Sequence, residues 1–228
     1  MPDIFSYETV EALRLSGCAL CRALAIEDQR WVDTFAREGR RDPGTRRRFL
    51  KAGGFCRHHA WLLHRSVAGK DKGTAIADVY GWLAENDLDR LDEFRRGLGR
   101  TRRRQRSLER STPCPACVFL AEATGRKVEF FVEVLPEARV RREYASSEGL
   151  CFTHLVAVVE RALEVDEEAA GFLLDDWRTR LAHVRMQLAE FDRKRDYRYA
   201  AEPKGDEQSA WTEVIRRYVG EDFTDPSS

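Results

Sequence analysis

The sequence predicts an all-α fold, built from two homologous, metal-stapled helical repeats packed as a helical bundle. Three observations carry that expectation. Apolar residues recur at three- and four-residue spacing over most of the chain. No run shows the sustained alternation of a half-buried strand. A CxxC motif followed by a CxxH motif occurs twice, as C-x2-C-x34-C-x2-H from Cys18 and C-x2-C-x33-C-x2-H from Cys114.

Taken in order, residues 7–16 read as a short helix running into Gly17. From Cys18 to about Arg37 the stripe Leu20, Leu24, Trp31, Val32 and Phe35 predicts an amphipathic helix. Asp42-Pro43-Gly44 breaks it, and a short helix from Thr45 to Ala52 follows. A helix from Cys56 to about Gly69 carries Trp61, Leu62 and Leu63. A long helix from about Thr74 to Arg106 has Ile76, Val79, Tyr80, Leu83, Leu88, Leu91 and Phe94 as its apolar positions. The second half repeats the plan. A helix opens at Cys114, Pro136 interrupts it, a short helix runs to about Tyr144, and another spans Cys151 to Leu163. The counterpart of the long helix is 166–199, with Leu173, Leu174, Trp177, Leu181, Val184, Leu188 and Phe191. A last amphipathic helix from Glu207 to Val219 carries Trp211, Ile215 and Tyr218, and Gly220 stops it. The expected division is 1–110 for the first repeat, 111–221 for the second with its terminal helix, and 222–228 as a disordered tail. The short connection at 107–113 suggests that the two form one compact domain.

The repeated motifs use all six cysteines and two of the five histidines. They predict two Cys3His metal sites. In sequence order these are Cys18, Cys21, Cys56 and His59, then Cys114, Cys117, Cys151 and His154. Cys3His is a closed tetrahedral zinc set, and residues at i and i+3 on one helical turn reach the same ion. Each motif is placed to open a helix, where free N–H groups and the positive dipole end favour a thiolate. Disulfides fit less well, because two histidines stand where they complete a metal set. A thioredoxin-like CxxC needs a βαβ context that the sequence lacks. Zn2+, two per chain, is the expected cofactor, and an iron–sulfur cluster is the alternative.

Other candidates are weaker. His58 is adjacent to His59 and is an alternative ligand, but i+3 spacing and the second copy favour His59. His64 has no counterpart in the second copy, and His183 reads as a surface or half-buried helix residue. The carboxylates, Glu27-Asp28 among them, form no Glu-x-x-His pair, and no phosphate-binding or nucleophile motif is present. Arg100 to Arg106 is the one dense basic run. Basic and acidic residues number 39 each, so net charge gives no general affinity for nucleic acid or anionic membrane. The N-terminus has no secretory pattern and no apolar stretch is long enough to span a membrane, so the expected location is cytoplasmic.

The run Gly54-Phe55-Cys56-Arg57-His58-His59-Ala60-Trp61-Leu62-Leu63, with Cys18-x2-Cys21 before it and the second set from Cys114 to His154, resembles a family of uncharacterised prokaryotic proteins with paired CxxC and CxxH motifs. The terminal helix from Trp211 to Gly220 also resembles the end of that family. The resemblance implies no particular activity. The functional expectation is a metal-binding helical module with structural sites and an unknown protein or small-molecule partner. The rivals are a redox enzyme using the same sites and a nucleic-acid-associated protein using Arg100 to Arg106.

Overall fold

The computed structural model describes residues 4–68, 73–96, 112–199 and 201–221. Among these are ten α-helices, two short 3-10 helices and no strand. The helices are α1 (Ile4–Leu13), α2 (Ala19–Arg37), α3 (Pro43–Lys51), α4 (Arg57–Val67), α5 (Thr74–Arg96), α6 (Pro115–Val134), α7 (Ala138–Ser146), α8 (Phe152–Val165), α9 (Glu167–Arg193) and α10 (Ala210–Val219). The all-α expectation holds. The continuation of the long helix towards Arg106, the basic run and the tail at 222–228 lie outside the described residues.

Local chemistry sets several boundaries. Asp42 caps α3 by accepting the Thr45 N–H at 2.6 Å, with Pro43 in the first turn. Asp166 caps α9 by accepting from Ala169 at 3.1 Å, and Glu167 and Glu168 follow at the positive dipole end. The last helix is shorter than expected. Asp206–Ser209 is a 3-10 turn, and α10 begins only at Ala210. Buried Glu207 accepts from the Gly205 N–H at 2.9 Å and from Lys194 at 3.0 Å. These bonds, the backbone one first, hold its carboxyl down at about 2.

The chain forms two compact units. One comprises Met1–Ala25 with Thr124–Ser228, and the other Ile26–Ala123. The expected boundary near 110 follows the motif repeat, whereas the units divide inside α2 and α6. Each of these helices opens with a CxxC in one unit and carries its apolar stripe into the other.

In the Ile26–Ala123 unit the core is aromatic. Phe49 is fully buried, with Phe55 4.9 Å and Phe35 5.9 Å from it between ring centroids. Leu63, Ala75, Val79 and Leu83 complete the cluster from α4 and α5. Leu88 and Leu91 of α5, expected in the apolar stripe, are 63% and 51% exposed, so only the first half of that stripe is core. In the other unit Val10, Phe131, Tyr144, Leu155, Val158 and Leu173 form the core. Arg180 of α9 reaches the carbonyls of Ser147 at 2.5 Å, Tyr144 at 3.1 Å and Ala145 at 3.2 Å. It thereby satisfies the orphan acceptors at the end of α7 and fixes the turn that leads into Cys151. Leu174 of α9 is 48% exposed, another stripe position that turns outward.

Phe49→Ala is expected to destabilise the Ile26–Ala123 unit by about 3–5 kcal/mol, because Phe35, Phe55 and Tyr80 lose their common neighbour. Urea unfolding followed by tryptophan fluorescence measures it. A loss below about 1 kcal/mol would mean that the ring cluster is not the core.

Candidate metal centres

All four motif starts share one local geometry. Cys56 is the N-cap of α4 and Cys151 the N-cap of α8, both with extended backbone. Cys18 and Cys114 immediately precede α2 and α6. Each of these four residues accepts the first helical bond on its carbonyl: Ala60 to Cys56, Leu155 to Cys151, Arg22 to Cys18 and Val118 to Cys114, at 2.8–3.1 Å. The residue three further on then stands one turn up on the same face, and both side chains point off the helix start.

The eight predicted residues meet in two groups of four. One group is Cys18, Cys21, Cys151 and His154, and the other is Cys56, His59, Cys114 and Cys117. Within each group the donor atoms lie within 4.8 Å of one another, and each group belongs to a single compact unit. The residues are those expected, but the pairing in sequence order is corrected: each CxxC meets the other copy's CxxH. The reason is where the first CxxH packs. His59 is bonded to Asp28, and Phe55 packs on Phe35 at 4.8 Å. The Cys56–His59 turn is therefore held within the Ile26–Ala123 unit, which also contains Cys114 and Cys117.

In the first group Cys21 Sγ lies 3.6 Å from Cys151 Sγ. His154 Nδ1 lies 3.5, 3.3 and 3.2 Å from the Sγ atoms of Cys18, Cys21 and Cys151. In the second, Cys56 Sγ lies 3.6 Å from Cys117 Sγ. His59 Nδ1 lies 3.1, 3.6 and 3.4 Å from the Sγ atoms of Cys56, Cys114 and Cys117. A single tetrahedral zinc-like ion, with metal–sulfur bonds of about 2.3 Å and metal–nitrogen bonds of about 2.0 Å, has edges of about 3.8 Å (S···S) and 3.5 Å (N···S). Both groups fit that polyhedron and could each hold one ion. The sulfurs are too far apart for a disulfide, which needs about 2.0 Å, and all six cysteines are free thiols.

The electrostatics show what the bare side chains do to each other. Burial pushes the His59 imidazolium down, but hydrogen bonds to Asp28 and Cys114 outweigh it and raise its pKa to about 10. Burial likewise opposes ionisation of Cys114, and His59 overrides it, bringing the thiol down to about 6. Burial and the Cys56 thiol push Cys117 up to about 12. In the other group, hydrogen bonds from Cys18 and Cys21 drive Cys151 well down, and the one to Cys151 drives Cys21 well up. Burial lowers His154, while Cys151 and Cys18 raise it to about 9. In each group one cysteine is thus drawn towards the thiolate beside a histidine whose proton is held more firmly, and another is pushed away from it.

The surroundings differ. Gly220, just past α10, has φ +82°, and a Cβ there would stand 2.5 Å from Cys21 Sγ and 3.6 Å from Cys151 Sγ. Only glycine both adopts that backbone and lets it lie against the sulfur. Tyr218 anchors the end of α10 between Phe152 (5.8 Å) and Trp177 (6.4 Å). Trp211 and Ile215, expected on the apolar face of this helix, are each 55% exposed. In the second group Cys117 is exposed. There the buried Asp28 accepts from His59 Nε2 on Oδ1 and from His58 Nε2 on Oδ2, each at 3.0 Å.

Asp28 and Gly220 are the residues that motif reasoning missed. A signal for Asp28 existed: it falls between Leu24 and Trp31, on the stripe that faces the core. Among the described residues no helix is long and apolar enough to cross a membrane. Comparison with known proteins returns no matching family model, no matching curated protein and no matching solved structure.

Gly220→Ala is expected to expose the Cys21 group selectively. Thiol-reagent labelling read by mass spectrometry should show faster modification of Cys21 and Cys151, with Cys56 and Cys114 unchanged. Equal rates in both proteins would contradict the close packing of Gly220 on Cys21.

The metal-free chain should also show a defined pH window. Burial raises the Asp28 carboxyl, but its bonds to His59 and His58 outweigh that and leave it below its ordinary value. The Asp28 contribution is therefore present above the ordinary carboxylate range and is lost as pH falls through the lowered value. The His59 contribution is complete below about 6.5 and is lost as pH rises through about 10. Melting temperatures of metal-free wild type and Asp28→Asn, measured from pH 3 to 11, should differ most in between and converge at both ends. A constant offset would contradict the linkage.

Proposed function

We propose that the protein is a metal-binding helical module in which each Cys3His group holds one structural Zn2+, and that the stapled units serve to bind a protein or small-molecule partner. The observation that carries this reading is the closed donor set: among the described residues, four donor atoms lie within 4.8 Å of one another in each of two groups. A catalytic zinc keeps three protein ligands and an open position. The free state of all six cysteines supports a reducing, cytoplasm-like compartment. The close donor spacing favours a single ion over an iron–sulfur cluster, which spreads its cysteines over more than one iron.

In this role the ion neutralises the thiolates that bind it, and it ties two helix starts distant in the chain. Such a site contributes about 10 kcal/mol of folding free energy or more in small zinc modules. The resemblance to proteins with paired CxxC and CxxH motifs belongs to the same proposal and adds no substrate.

Elemental analysis of anaerobically purified protein should give two zinc per chain with no visible absorption. Iron with sulfide and a brown colour would replace this reading with electron transfer or cluster chemistry. The exchanged pairing has its own test. Cys21→Ser and Cys151→Ser should each lose one zinc, and the double variant should still lose only that one. Cys21→Ser with Cys56→Ser should lose both. Loss of both ions from Cys21→Ser/Cys151→Ser would restore the pairing in sequence order.

A further inference from the structure

We propose that Asp28 is a positioning residue for the second centre, and that it makes metal retention at Cys56, His59, Cys114 and Cys117 depend on an outer carboxylate, whereas the Cys21 centre does not. The inference rests on the zinc reading above. His59 turns Nδ1 towards the three sulfurs, so with Nδ1 on the ion the ring is neutral and its one proton sits on Nε2. Asp28 Oδ1 accepts that proton at 3.0 Å, which fixes both the tautomer and the plane of the ring. Carboxylates that hold a ligating imidazole in this way also raise its basicity.

Asp28 is itself held. Its other oxygen accepts from His58 Nε2 at 3.0 Å, so adjacent histidines on one helical turn grip the two oxygens of one carboxylate. Asp28 and His59 are buried, while His58 is partly exposed at the edge. Neither Asp28 nor His58 belongs to the four-donor group. This accounts for the His-His pair in the first CxxH, where the second copy has Thr153-His154.

The other centre has no carboxylate at the corresponding position. Asp28 follows Cys21 by seven residues, and the residue seven after Cys117 is Thr124. There the backbone of Gly220 lies against a ligand sulfur instead. One centre is shielded by close packing. The other, with Cys117 exposed, relies on the orientation of its imidazole.

The test follows zinc transfer from the loaded full-length chain to an excess of chelator, with far-UV circular dichroism to monitor the fold. Asp28→Ala should weaken one of the two ions by about 10–100-fold and leave the other unchanged. Asp28→Asn, which keeps an acceptor without the charge, should recover part of the loss. Pairing Asp28→Ala with Cys21→Ser leaves only the weakened centre, and pairing it with Cys56→Ser leaves only the unaffected one. Cobalt(II) substitution adds a readout that a purely structural role would not move: ligand-field bands of the Cys56 centre should shift in Asp28→Ala with the fold intact. Two firmly held ions indifferent to Asp28, or an equal weakening of both, would overturn this inference alone. A wild-type chain that binds no zinc would overturn the proposed function and this inference together.

Discussion

Four donor atoms have to meet at one point, and the rest of each unit is arranged to make them do so. Three thiols and an imidazole packed within van der Waals reach are uncomfortable company. Burial and the Cys56 thiol push Cys117 up and Cys151 pushes Cys21 up, while His59 brings Cys114 down against burial and Cys18 and Cys21 bring Cys151 down. Helix starts answer part of the problem. A cysteine at the N-cap with its partner three residues on aims both side chains away from the helix, towards the positive end of the peptide dipoles. Two such starts facing each other create the tetrahedron without any irregular backbone beyond the preceding turn.

The hydrophobic cores exist in part to hold those starts in place. Phe55 is buried immediately before Cys56, and Leu150 immediately before Cys151. Each enters the core as its neighbour enters the cluster, so packing helps to fix the place of the N-cap cysteine. Arg180 does the same work for the α7–α8 turn with hydrogen bonds rather than apolar contact. The two centres thus share a donor set but not a manner of support.

Much of this was legible in the residues. Helical spacing defined the elements because each helix buries one stripe, and the CxxC and CxxH spacings defined the donors because i and i+3 share a face. The partition of the donors was not legible, because the spacing of each motif does not say which helix start faces which, and nearness in sequence was a poor guide. The exposed Leu88, Leu91 and Leu174 show the matching limit: periodicity marks a stripe but does not say how far along it a neighbour extends. Asp28 was hidden among many carboxylates, although its place on the apolar stripe set it apart. Gly220 could be found only from the fold, since its closeness to Cys21 depends on where α10 ends.

The division of the units inside α2 and α6 has a consequence for how such a chain is put together. A fragment ending near residue 110 contains one CxxC and one CxxH, yet they belong to different tetrahedra, so it holds two half-sets and no complete one. The remaining fragment is in the same position. Two such pieces complete both sets only by trading their leading helices, as partners do in an exchanged dimer. Joining them in one polypeptide removes the dilution penalty of that trade, because the complementary half-set is always tethered nearby. Covalent continuity thus turns an association between pieces into a property of a single molecule.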